Sequence, residues 1–146
     1  MSDRFIALSE CLTARRPADA PVSCHDGHYY CAGEFHAAVC LWLDKLQAQP
    51  EQRYALYTED AYPFAVLLFA LLQAGKEVWI PGNNRPGTAG QLKEQGCRLI
   101  GDWPETIIED YLLDAAPCPE RQLAPLDPSA ARLVMFTSGT TGEAKP

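Results

Sequence analysis

The stretch "RYALYTEDAYPFAVLLFALLQAGKEVWIPG", from Arg53 to Gly82, limits the fold of this chain more than any other. "RYALYTE" is rich in residues that favour strands, and so is "KEVWIPG". Between them Tyr62–Ala74 is apolar on every side, the pattern of a helix buried all round, and Gly75 closes it. Strand, helix and strand within about 25 residues is the spacing of a parallel βαβ crossover, since two parallel strands cannot be joined by a tight turn. The expected fold is therefore α/β and three-layered, with a mostly parallel sheet flanked by helices.

The neighbouring segments extend this plan. "GTAGQLKEQG" reads as a short helix, "CRLIGD" as a third strand, and "ARLVMFTSG" as a final apolar strand that runs straight into a glycine-containing loop. The sheet is thus expected from "YALYT", "EVWIP", "RLIGD" and "RLVMF". Upstream, two short extended pieces flank Asp26-Gly27, a dipeptide suited to a hairpin turn because glycine enters positive φ at little cost. A helix from Ala32 to Gln47 follows, with Phe35, Val39, Trp42, Leu43 and Leu46 on one face. Cys31 stands at its cap with Glu34 three residues on, a capping box with a thiol in place of a hydroxyl. Phe5, Leu8 and Leu12 mark a short amphipathic helix that Pro17 ends. From 103 to 129, Pro104, Pro117, Pro119, Pro125 and Pro128 indicate a surface connection, with one helix in "ETIIEDYLLDAA".

Composition narrows the function classes. A length of 146 residues allows one domain or part of one. A net charge of −7 argues against a sequence-independent grip on nucleic acid or anionic lipid, which needs clustered Lys and Arg. The longest apolar run, Ala61 to Leu72, falls short of the roughly 18 residues of a membrane span. The N-terminus lacks the form of a secretory signal, so the cytoplasm is the expected compartment. Cys11, Cys24, Cys31, Cys40, Cys97 and Cys118 then read as reduced thiols.

The loop "TSGTTGEAK" carries the chemistry. Gly139 and Gly142 let backbone N–H groups turn inward toward an anion; Thr137, Ser138, Thr140 and Thr141 add hydroxyl donors, and Lys145 adds a positive charge. Local donors of this kind can hold a di- or triphosphate that an acidic chain as a whole would repel. The P-loop order G-x-x-x-x-G-K-[ST] fails, because the two glycines are three apart and Lys145 follows an alanine, and the dinucleotide order G-x-G-x-x-G is absent.

The order Thr137-Ser138-Gly139-Thr140-Thr141-Gly142, then Lys145, following an apolar strand, resembles the signature loop of the adenylate-forming superfamily, which includes acyl-CoA synthetases, aryl-CoA ligases, luciferases and the adenylation domains of peptide synthetases. The sequence departs from that pattern at Ala144, where the family usually has proline, and at Pro146, where it usually has glycine. "GHYYCAGEFHAAVCLWLDKL" and the stretch from Tyr54 to Asn84 are more weakly similar to the family's first subdomain. The resemblance implies that residues 1–146 form the N-terminal part of an AMP-binding domain. The loop would embrace the β- and γ-phosphates of ATP, with Mg²⁺, while a carboxylic acid attacks the α-phosphorus, and Lys145 would be its catalytic residue. The acyl-adenylate would then pass its acyl group to coenzyme A or to the phosphopantetheine thiol of an acyl carrier protein.

The resemblance further implies that adenine, ribose and magnesium contacts lie beyond the loop, so that the chain corresponds to roughly the first quarter of such a ligase and is inactive alone. A non-catalytic α/β module that binds a nucleotide or a partner is the alternative. The strand "ARLVMF" is expected to leave one sheet edge exposed and open to self-association.

Other groupings carry less. Cys24, His25, His28, Cys31 and His36 match no standard zinc-finger spacing and read as packing around a hairpin. Asp110 and Asp114, with Glu109 beside them, read as a solvated acidic face. Trp42, Trp79 and Trp103 read as core or interface residues. Ile80 to Thr88, at the C-terminal end of a parallel strand where α/β sheets place ligands, reads as a structural turn.

Overall fold

The computed structural model describes residues 17–25, 27–104, 123–127 and 129–136. The helices expected near Phe5–Leu12 and over 105–116 lie outside the described residues.

The chain opens with an antiparallel hairpin, β1 (Pro21–His25) on β2 (His28–Cys31), in which Cys24 faces Tyr29 across the pair. Gly27 sits in the turn at φ 77°, the left-handed region that Asp26-Gly27 signals. Helix α1 (Ala32–Gln47) starts where expected, and its cap is held by the Cys31 N–H donating to Glu34 Oε2 at 3.1 Å. It buries the expected face of Phe35, Val39, Trp42, Leu43 and Leu46.

The βαβ unit forms as read. Strand β3 (Arg53–Tyr57), helix α2 (Ala61–Gln73) and strand β4 (Glu77–Ile80) follow one another, with β3 and β4 parallel and Tyr54 paired to Val78. Gly75 ends α2 at φ 73°. Helix α3 (Pro86–Glu94) begins one residue earlier than the sequence indicates and places Pro86 in its first turn, where no N–H is required. Strands β5 (Arg98–Gly101) and β6 (Arg132–Met135) complete a sheet of order β5-β3-β4-β6, parallel throughout.

Alternation along the strands divides the interior in two. Tyr54, Leu56 and Val78 point toward α1 and α2 and form the larger core with Val39, Leu67 and Leu71. Ala55, Trp79 and Leu99 point the other way, against Ala89 and Leu92 of α3. The chain moves from β3 to β4 through α2, then back across β3 to β5 through α3. Two crossovers of the same hand in opposite directions must lie on opposite faces, as these do. Within the proline-rich connection, Leu123 is buried in the α1–α2 core and Gln73 Nε2 donates to the Ala124 carbonyl at 2.7 Å, so its described end is docked rather than loose. Among the described residues no helix is long and apolar enough to cross a membrane.

Candidate functional site: the carboxyl end of the parallel sheet

All four strands of the sheet end on one side, and the connections leaving β3 and β4 turn to opposite faces. Such a divergence opens a crevice above the strand ends, the usual ligand position in an open α/β sheet. The rim is formed by Thr58–Asp60 after β3, Pro81–Arg85 after β4, Asp102–Trp103 after β5 and Phe136 after β6. Helices α2 and α3 both start here, so the positive ends of their backbone dipoles lie at this rim.

The β5–β3 side of the rim is latched. Gly101 takes φ 109° and approaches the Tyr57 carbonyl so closely that a Cβ on it would fall 2.0 Å from that oxygen. The approach lets the Asp102 N–H donate to Tyr57 O at 2.7 Å, while Asp102 Oδ2 accepts the Glu59 N–H at 3.0 Å and the Asp102 carbonyl accepts from Asn84 Nδ2 at 2.8 Å. One residue thus ties together the ends of three strands. Trp103 reinforces it, its indole N–H donating to Ile100 O at 3.2 Å and its ring tilted against Tyr57.

The turn after β4 is equally ordered. Asn83 Oδ1 accepts from the Arg85 N–H at 3.0 Å and from Thr88 Oγ1 at 2.6 Å, an arrangement that starts α3. Within Ile80–Thr88, read as a structural turn from its sequence, Ile80 ends β4, residues 81–85 form the turn and Pro86 to Thr88 begin α3. Beside it β6 ends in register with β4, Met135 opposite Ile80, and the Phe136 ring lies 5.6 Å from that of Trp79. The chain leaves Phe136 toward Thr137 from this side of the rim. Thr137, Ser138, Gly139, Thr140, Thr141, Gly142 and Lys145 themselves lie outside the described residues.

Burial raises the titration of two groups near the sheet. Burial, with smaller contributions from Glu34, Tyr30 and Cys31, pushes the Tyr62 hydroxyl at the start of α2 up to about 12, and its ring stacks on Tyr30 at 3.8 Å. Burial likewise pushes the Cys97 thiol up to about 11, Arg53 opposing and Glu77 assisting. Both stay protonated near neutrality. Of the residues weighed as zinc ligands, His28 stands edge-on to Tyr30 with Nε2 4.0 Å from Glu34, and His36 Nδ1 lies 3.7 Å from Cys40 Sγ.

A shallow cleft of about 390 Å³ lies at the opposite, amino end of the strands. Its polar groups are already engaged. Glu77 Oε1 accepts from Arg53 Nε at 3.0 Å and from Trp79 Nε1 at 2.6 Å, and buried Lys76 donates to the carbonyls of Gln49 and Glu51 at 2.9 and 2.7 Å. Helices α2 and α3 both end there, directing carbonyl oxygens toward it, which disfavours an anion. The cleft belongs to the base of the fold.

Sequence reading missed the Gly101–Asp102 latch. The one available signal was a glycine at the end of an apolar strand, where backbone approaches backbone. No protein-family model matches this chain, and a search of curated proteins finds no match.

Proposed function

We propose that the chain is the N-terminal part of an ATP-dependent ligase that activates a carboxylic acid as its acyl-adenylate and transfers the acyl group to a thiol of coenzyme A or a carrier protein. The observation that carries this reading is the ordered string from Thr137 to Lys145, set directly after a strand of a parallel sheet. Strand β6 ends at the carboxyl rim, beside β4 and next to the crevice. Open α/β sheets hold their ligands at the carboxyl ends of the strands.

The donor set fits phosphate. Hydroxyls, glycine N–H groups and one ammonium are all hydrogen-bond donors, complementary to the oxygens of a triphosphate that enters as its Mg²⁺ complex. Attack of the substrate carboxylate on the α-phosphorus forms the acyl–O–P bond and breaks the bond to the β-phosphate oxygen, releasing pyrophosphate. Lys145 neutralises charge as it builds on that leaving group, and the hydroxyls of Thr137, Ser138, Thr140 and Thr141 orient it.

Titration of the isotopically labelled chain with MgATP tests the binding step. Amide shifts are expected in residues 137–145 and at the rim near Asn83 and Phe136, and Lys145→Ala should abolish them. In the longest polypeptide encoded with this sequence, the same substitution should lower carboxylate-dependent ATP–pyrophosphate exchange by about 100-fold or more. Shifts confined to the basal cleft, or exchange unaffected by Lys145→Ala, would refute the assignment.

A further inference from the structure

The two edges of the sheet are finished differently. On β5 Leu99, Ile100 and Gly101 are buried, whereas on β6 Arg132, Leu133 and Met135 are exposed. Leu133 is 45% and Met135 67% accessible, and they are two of the four large apolar side chains exposed among the described residues. Opposite Val78 and Ile80, they extend the face of the sheet on which α1 and α2 pack, beyond the cover that the described helices give it. No described strand lies on the outer side of β6, and no proline interrupts residues 132–136. An edge with these properties is a template for another strand.

The sequence of the edge is complementary to itself. An antiparallel copy centred on Val134 sets Leu133 opposite Met135 twice on one face. On the other face it sets Val134 opposite Val134 and Arg132 opposite Phe136. Residues directly opposite in an antiparallel pair share a face and touch, so the apolar pairs bury one another and each guanidinium meets an aromatic ring. Arg132 can reach that ring, because its side chain is 78% exposed and its ion pair with Glu77 is long, at 3.9 Å. Moving the two-fold axis to Leu133 would instead set Leu133 opposite itself, Arg132 opposite Val134 and Met135 opposite Ala131, which gives up both the doubled Leu133–Met135 pair and the aromatic ring opposite the guanidinium. We propose that a second copy of this chain is the partner for β6, joined strand to strand across a two-fold axis at Val134. The pairing uses residues 132–136 alone and none of the residues to which the proposed ligase chemistry is assigned.

So short an interface gives a weak dimer, with dissociation in the micromolar range or above. Sedimentation of the full chain over about 10 μM to 1 mM is expected to show the mean mass rising from 16.1 kDa toward twice that value. Leu133→Lys combined with Met135→Lys should weaken association by at least about tenfold while leaving the circular dichroism spectrum unchanged. Val134→Cys, oxidised with glutathione disulfide, should yield a covalent dimer whose linked peptides join position 134 to position 134. Peptide mapping separates that link from any made through the exposed Cys24. A monomer mass throughout, a dimer that survives the double lysine substitution, or the absence of a 134–134 link would each overturn the proposal. If the double lysine variant fails to fold, the 134–134 link decides alone.

Discussion

Replacing Gly101 by alanine should be far more damaging than replacing Gly75, although both glycines have positive φ. At Gly75, φ is 73° and nothing lies within 4 Å of the position a Cβ would take, so Gly75→Ala costs only the left-handed conformation, about 1 kcal/mol. At Gly101, φ is 109°, outside the region that L-residues tolerate, which alone costs about 1–3 kcal/mol. A Cβ there would also fall 2.0 Å from the Tyr57 carbonyl oxygen and 2.9 Å from its carbon. Those atoms belong to the backbone of β3, an interior strand held between β5 and β4, and they cannot give way as a flexible side chain would. Relief of the overlap requires β5 to move from β3 by more than an ångström, at about 1–3 kcal/mol further. The sum is about 2–6 kcal/mol, a large share of the stability of a domain this size. Urea unfolding followed by circular dichroism measures it. With a slope of ~2 kcal/mol/M, the Gly101→Ala midpoint should fall by about 1–3 M and the Gly75→Ala midpoint by about 0.5 M. Equal shifts for the two variants would refute the reasoning, since they share the sign of φ and differ in the collision.

The Cys97 thiol keeps its proton up to about 11 in the fold but ionises near 9.0 ordinarily, so between those values the unfolded chain binds fewer protons and stability falls as pH rises. The full contribution is present below pH 9; at ~1.4 kcal/mol per unit, wild type should lose about 2 kcal/mol more than Cys97→Ala between roughly pH 9 and 11, and parallel pH profiles would contradict this. Glu77→Ala should destabilise by about 2–3 kcal/mol in the same urea assay, because the Arg53 guanidinium and the Trp79 indole both lose their acceptor, while Glu77→Gln, which retains an acceptor oxygen, should cost about 1 kcal/mol.

The elements were legible in the sequence where local pattern and burial agree. The β3–α2–β4 unit is the best example, because Tyr54–Leu56 and Val78–Trp79 are covered on both faces and α2 has few polar positions to misdirect the reading. Helix α1 was legible through its apolar stripe and through Glu34 at its cap. Strand order was not legible. "RLIG" and "RLVM" have nearly the same composition, yet the first joins β3 with Leu99 and Ile100 buried and the second joins β4 with three of its four side chains exposed. What separates them is the route of the connections across the two faces, a long-range property. The Asp102 latch was hidden for the same reason, since its partners Tyr57, Glu59 and Asn84 lie far from it in sequence. The glycine-containing loop was legible only as a string of donors.

The hydrogen bonds of the rim give a direction to the proposed site. On the β5–β3 side, the Tyr57 carbonyl and the Glu59 N–H are both taken by Asp102, and the Asn84 amide is drawn onto the same residue. Backbone groups already bonded to protein are poor ligand donors, because a phosphate would have to displace a bond of similar strength. The acidic side chains of Glu59, Asp60 and Asp102 also gather on that side, which repels an anion. On the β4–β6 side, the Asn83 oxygen is occupied by its own turn, and the chain leaves Phe136 about 4.8 Å, one strand spacing, from the end of β4. Had β6 joined beyond β5 instead, its exit would stand about 15 Å from that point, across the acidic latch. An anion at this rim is thus favoured beside β4 and β6, at the crevice where the chain enters the segment carrying Lys145.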